Sequence, residues 1–148
     1  MKIKRLIAPM LATAVVAFVG AEAKTLEFTI DSADLYVSES GIRKEALDAP
    51  AYIENGRTLV PIRVISEEFG ATVEWKAEEN KAVITSGETV IEITIGENKA
   101  VVNGEEKPLD APAVISGGRT MVPLRFISEE LDKTVEYVGM TRQVIITD

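Results

Sequence analysis

Residues 47–75, LDAPAYIENGRTLVPIRVISEEFGATVEW, return without a gap at 109–137 as LDAPAVISGGRTMVPLRFISEELDKTVEY. Roughly two thirds of the aligned positions are identical, and most others keep their character, as Leu59/Met121, Ile62/Leu124 and Phe69/Leu131 do. A repeat this strong means that one supersecondary unit occurs twice, which limits the chain to folds assembled from two like halves. Function is limited as well. Whatever the repeated residues do, they do in two places, and architecture explains that more readily than a single active site.

Each half predicts strands, one helix, then further strands. Leu26, Phe28 and Ile30 alternate with polar residues as a half-buried strand does, and Leu35-Tyr36-Val37 predicts a second strand before a loop over residues 38–41. In the second half the same places are held by Ile91, Ile93 and Ile95, then Ala100-Val101-Val102. There Asn103-Gly104 marks a tight hairpin, because both residues tolerate positive φ. The first half carries about three extra residues in this region, the only gap the repeat requires. Asn55-Gly56 and Gly117-Gly118 predict further turns, and Pro61 and Pro123 suit the first turn of a helix. Ile62, Ile65 and Phe69 then form one apolar face, widened by Val64; Leu124, Ile127 and Leu131 do the same, widened by Phe126. Gly70 is a natural left-handed stop, for which Asp132 is a poorer substitute. Residues 72–75 with 81–85, and 134–137 with 143–147, read as closing hairpins. The fold class expected is α+β: a mostly antiparallel twisted sheet with two short helices, duplicated about a pseudo-twofold within one domain over 24–148. The half-repeats run about 24–87 and 88–148.

Lys2, Lys4 and Arg5 precede an apolar stretch over residues 6–19, and Ala21-Glu22-Ala23 fits an A-x-A cleavage site. Residues 1–23 therefore read as a secretory signal peptide, which would place the protein outside the cell or on its surface; left uncut, the segment would be an anchor. Cleavage would remove Lys2, Lys4, Arg5 and Glu22, three cations and one anion, moving the formal charge from −8 to −10. Such a chain repels nucleic acid and anionic membranes, and it has neither a basic stripe nor enough aromatic residues to stack bases. After cleavage no second apolar stretch would tie it to a membrane. Cysteine is absent, so the fold rests on its apolar core without disulfides or thiolate metal sites.

GRTLVPIRVISEEFGATVEW and GRTMVPLRFISEELDKTVEY resemble the copper amine oxidase N-terminal-like, or stalk, domain family of exported bacterial proteins. That family carries two copies of a G-R-T-x-V-P-x-R-x-[FI] segment, and the resemblance covers nearly all of the chain beyond residue 23. It implies an antiparallel sheet wrapped on helix, used as an extracellular accessory or spacer module. Copper chemistry does not follow from it. The chain has no histidine and no cysteine, the usual protein ligands for copper.

Arg63 and Arg125 sit in the first turn of each helix, where a cation opposes the helix dipole. Pairing with Glu67 or Glu129 at i+4, or with Glu74 or Glu136, is the structural reading; an anion or glycan-carboxylate site is the functional one. Arg57 and Arg119, in turns before the helices, carry the same two readings. Trp75 and Tyr137 hold equivalent strand positions and read as core or cross-strand packing, with carbohydrate stacking as the alternative. Ser66-Glu67-Glu68 and Ser128-Glu129-Glu130 have no adjacent base and read as solvated helix faces. Calcium is the metal left open, although Glu78-Glu79-Asn80 and Glu105-Glu106 lack the ligand pattern of a dedicated loop. No catalytic, cofactor-binding or metal residue is assigned. The expected function is a non-enzymatic exported module at the cell surface, stalk-like, pairing with itself through strand edges or with cell-wall components. The alternative is a secreted inhibitor or an accessory subunit of an extracellular enzyme.

Overall fold

The computed structural model describes residues 23–148, so the signal peptide expected over residues 1–23 lies outside the described residues but for its last. Alternation sets the opening strands: β1 (Thr25–Thr29) buries Leu26 and Phe28, and β2 (Asp34–Ser38) buries Leu35 and Val37. β3 (Ile42–Ala46) pairs with β2 although all five of its residues are exposed, which is why no apolar pattern announces it. β4 (Tyr52–Glu54) and β5 (Arg57–Pro61) meet through Asn55 and Gly56 at φ 53° and 77°, the doubly positive turn that Asn-Gly supports. α1 (Ile62–Glu68) follows without a loop, then β6 (Thr72–Lys76), a single 3-10 turn, and β7 (Lys81–Ser86). The order then recurs as β8 (Thr89–Thr94), β9 (Lys99–Val102), β10 (Glu105–Pro108), β11 (Val114–Ser116), β12 (Arg119–Pro123), α2 (Leu124–Glu130), β13 (Thr134–Val138) and β14 (Gln143–Thr147). The extra residues of the first half spread evenly: β2 and β3 have five residues each, β9 and β10 four, and the turn at 39–41 is one longer than Asn103-Gly104.

Two local expectations shift. Pro61 and Pro123 end strands instead of opening helices, with φ/ψ of −71°/124° and −60°/128°. The proline φ suits either state, and pairing decides ψ: Pro61 lies opposite Met121 and Pro123 opposite Leu59. Ser66 and Ser128 are buried, at 0% and 4% exposure, not solvated. They fall at i+4 from Ile62 and Leu124, inside the apolar stripe, where only a small side chain lets the helix backbone approach its neighbours. Ser128 Oγ donates to Leu124 O at 2.7 Å, whereas Ser66 Oγ has no hydrogen-bond partner. Ser66→Ala is therefore expected to raise stability by up to about 1 kcal/mol and Ser128→Ala to lower it by about 1 kcal/mol. Urea midpoints compare the two; equal shifts would mean that both hydroxyls are bonded alike.

The helix ends behave as their letters suggest. Gly70 and Asp132 both take left-handed φ, 88° and 62°, and the chain closes behind them through Ala71 N–H to Ser66 O and Lys133 N–H to Ser128 O. A left-handed L-residue costs about 1–2 kcal/mol, against roughly 0.5–1 kcal/mol for glycine's greater loss of freedom. Asp132→Gly should thus add about 0.5–1 kcal/mol, read as a higher Tm. A lower Tm would show that the Asp132 side chain makes a stabilising contact that outweighs its backbone cost.

The α+β class holds, but the strands form three antiparallel sheets: β13-β14-β1-β2-β3, β10-β9-β8-β7-β6 and β11-β12-β5-β4. Each five-stranded sheet takes three strands from one half and a hairpin from the other. β14 of the second half pairs with β1 of the first, setting Ile146 opposite Leu26 and Val144 opposite Phe28. β7 pairs in turn with β8, setting Ile84 opposite Ile91. The four-stranded sheet joins the two copies of the repeat along β5 and β12, where Val60 faces Val122.

The core divides accordingly. α1 covers the first sheet, where Ile65 packs with Leu26, Phe28, Leu35, Val144 and Ile146. α2 covers the second, where Phe126 and Ile127 pack with Ile84, Ile91 and Ile93. Each helix also sends one residue across: Ile62 into the second core and Leu124 into the first. Leu59, Met121 and Ala49 form a small third cluster on the central sheet. At about 1.5–3 kcal/mol per fully buried aliphatic side chain, both large cores depend on both halves.

Candidate functional site

The conformation at the central sheet brings the repeated polar letters together in crossed pairs. The tight turns before β5 and β12 set the G-R-T arginines at the start of each strand, facing the other half. Arg119 Nε donates to Asp48 Oδ2 at 2.8 Å, and its Nη1 donates to Gly118 O at 3.3 Å. In the matching place Arg57 Nε lies 3.9 Å from Asp110 Oδ2, and Arg125 Nε approaches the same oxygen at 4.0 Å. One carboxylate there stands between two guanidiniums.

Arg63 does what the i+4 spacing predicts and more. Its Nη1 lies 3.2 Å from Glu67 Oε2 and donates to Val73 O at 3.1 Å, which ties α1 to β6, the outermost strand of its sheet. Arg125 reaches Asp110 where the sequence suggests Glu129. Asp48 and Asp110 were not among the residues singled out from the sequence, although both are identical letters of the repeat.

Trp75 and Tyr137 are 39% and 47% exposed, so neither is a core residue. They stand opposite Ala82 and Val144, on the apolar side of their sheets, but on edge strands β6 and β13 where the core ends. Part of each residue is left open to solvent. Each becomes a wall of a cleft between the halves. The first cleft, about 470 Å³, is lined by Asp48, Pro61, Arg63 and Trp75 of one half and by Gly118 and Arg119 of the other. The second, about 720 Å³, is lined by Asp110, Pro123, Arg125 and Tyr137, with Gly56 and Arg57 reaching across. These are the same positions of the repeat. All six residues of interest from the sequence, Arg57, Arg63, Arg119, Arg125, Trp75 and Tyr137, thus divide into two groups of three.

Charges elsewhere are engaged in fixing edges. Glu68, the second glutamate of α1, accepts from Arg43 on β3 at 2.8 Å, and Glu130 of α2 lies 3.3 Å from Lys107 on β10. The Arg43 guanidinium is held above its ordinary pKa by the hydrogen bond to Glu68 and then by Glu45. Lys81 bridges Glu92 at 2.8 Å and Glu79 at 2.9 Å, which raises the ammonium's pKa and, through the Lys81 hydrogen bond, lowers that of Glu79. A lowered carboxyl contributes stability above the ordinary carboxylate range and loses it as pH falls through the folded-state value; the raised ammonium contributes until pH climbs past its own. The acidic hairpin tips considered for calcium are accordingly paired: Glu79 with Lys81, and Glu106 with Lys99 at 3.3 Å. Among the described residues no group of three or more histidine, cysteine, aspartate or glutamate side chains could hold a metal ion. Among them, too, no helix is long and apolar enough to cross a membrane.

The family model described as the copper amine oxidase N-terminal domain matches residues 40–146, a range that contains both copies of the repeat and both clefts. No curated protein matches the chain.

Proposed function

We propose a role from one premise: the chain belongs to the copper amine oxidase N-terminal domain family. That family is a non-catalytic one. On this reading the protein is an exported, non-enzymatic module of the cell surface, a stalk-like scaffold whose two repeats are the halves of one pseudo-twofold domain. The observation that carries it is the crossed pairing of the repeated letters, Arg119 with Asp48 at 2.8 Å and Arg57 with Asp110 at 3.9 Å. Residues present in two copies serve to close the halves on each other, which is the work of a scaffold.

Self-assembly through strand edges is part of the proposal. Arg43, Lys44 and Glu45 on β3, and Glu105, Glu106, Lys107 and Pro108 on β10, guard two of the sheet edges with charge and proline. β6 and β13 carry Val73 and Val135 with aromatic neighbours and are the better candidates for pairing between copies. The formal charge, −8 for the whole chain and −10 once cleavage removes three cations and one anion, opposes that approach, and calcium or salt would relieve it.

The test has two parts. Culture fractionation with N-terminal sequencing of the protein should find it outside the cytoplasm and cut after Ala23. Size exclusion and negative-stain microscopy should then find assemblies that grow with calcium. A monodisperse monomer under every condition would remove self-assembly; a full-length chain confined to the cytoplasm would remove the exported role altogether.

A further inference from the structure

We infer that the two clefts are a matched pair of binding sites for a carboxylated polysaccharide, each taking one uronate-like unit. The inference rests on reading the chain as an extracellular binding module and gives that module a ligand class.

The chemistry of each cleft comes first. An aromatic side chain, Trp75 or Tyr137, stands on an edge strand and is 39% or 47% exposed. Two guanidiniums line the same cleft, Arg63 and Arg119 in one, Arg57 and Arg125 in the other. Against them the first cleft sets Asp48, with Glu67 paired to Arg63 at its rim; in the second, Lys133, paired with Asp148 at 2.6 Å, joins the arginines against Asp110 and Glu129. With those partners counted, the cations of each cleft are balanced by its anions, on a chain whose formal charge is −8. On so acidic a chain, an anionic ligand is repelled least where guanidiniums balance the carboxylates, as they do in these two places.

The guanidiniums have donors to offer. Each carries five N–H groups. The bonds described use Nη1 of Arg63, and Nε with Nη1 of Arg119. In the first cleft these contacts hold the forks of Arg63 and Arg119 in place before a ligand arrives, which lowers the cost of ordering them on binding. A planar carboxylate is the group that such a fork matches best. The aromatic wall beside it requires a second feature of the ligand, a flat face of C–H groups on a ring that also bears the carboxylate. A pyranose uronate has both; an acidic peptide has the carboxylate without the ring.

The doubling supplies the rest. Two clefts built from the same letters of a repeat recognise the same unit, so the fitting ligand presents that unit again and again along one chain. A polymer engaging both clefts gains avidity without any new contact.

Isothermal titration of the full chain with polygalacturonate, trigalacturonate, dextran and polyglutamate tests this, with far-ultraviolet circular dichroism confirming the fold of each variant. The polymer is expected to bind about 100-fold tighter than the trimer, with affinity falling as salt rises, while dextran does not bind. Trp75→Ala or Tyr137→Ala alone should bring the polymer down to the level of the trimer, and the two together should abolish binding. Arg125→Gln, whose pairing with Asp110 is long, should weaken binding without unfolding the protein. Three results would overturn the inference: no binding of galacturonate by the folded protein, polyglutamate binding as tightly as polygalacturonate, or unchanged binding by the double aromatic variant. Because assembly and export are measured without any glycan, a failure here leaves the scaffold role standing, and a failure there leaves the clefts to be judged on binding alone.

Discussion

Residues 24–87 and 88–148, expressed separately, are each expected to be unfolded at 25 °C, and to recover the native fold only when mixed. The reason is the exchange of hairpins. Without the second half, β1 loses its partner β14, and the first core loses Leu124, Val144 and Ile146. Without the first half, β8 loses β7, and the second core loses Ile62, Ala82 and Ile84. A fragment of about 60 residues is already marginal because it buries too small a share of its surface. Removing two or three large buried aliphatic groups, at about 1.5–3 kcal/mol each, together with the lost strand pairing, takes away much of the roughly 5–15 kcal/mol by which a whole domain is stable. Amide dispersion in proton–nitrogen NMR spectra reads the outcome. Well-dispersed spectra from either fragment alone would show that β6–β7 or β13–β14 can fold back onto the sheet of its own half.

The second large effect concerns which aromatic residue matters. Phe28 is 1% exposed and sits at the centre of the first core, opposite Val144 on β14 and Leu35 on β2. Phe28→Ala should cost about 3–5 kcal/mol, combining lost transfer energy with the cavity left among Ile65, Leu35 and Val144. Trp75, the larger ring, is 39% exposed on an edge strand. Trp75→Ala should cost no more than about 1 kcal/mol, as substitutions near the surface usually do. Chemical denaturation of both variants compares the costs directly. A Trp75→Ala penalty matching that of Phe28→Ala would mean that the first cleft closes over the ring in solution, and it would count against an open binding wall.

Much of the local structure is legible in the letters. Alternation over Leu26, Phe28 and Ile30, the Asn-Gly turns, the Ile62–Ile65 spacing and the left-handed stop at Gly70 all place their elements. Each is a matter of neighbours in the chain, and local physics decides it. β3 is not legible, because a strand exposed on both faces has no apolar period to display. The polarity of Ser66 points outward, but its position in the stripe with Ile62 and Ile65 points inward, and position decides. Trp75 and Tyr137 depart from the core half of their expectation for the complementary reason, since a residue on the apolar side of a sheet is covered only if its strand is not the last. Strand order is a long-range property. The sequence shows that a hairpin follows each helix, but not that it crosses to the other half. The crossed ion pairs share that limit. Arg57 and Arg119 were visible as candidates, but their aspartates could be matched to them only after the central sheet had set one copy against the other.

The β2–β3 hairpin is longer than β9–β10 by one residue in each strand and one in the turn. It is the one length difference between the halves that the repeat requires. Two identical halves about a central sheet would make an object with no front or back, presenting the same outline when turned over. The longer hairpin labels one end. Copies joined end to end through unlike ends would all point the same way, and the resulting array would have a polarity, with distinguishable growing and trailing tips.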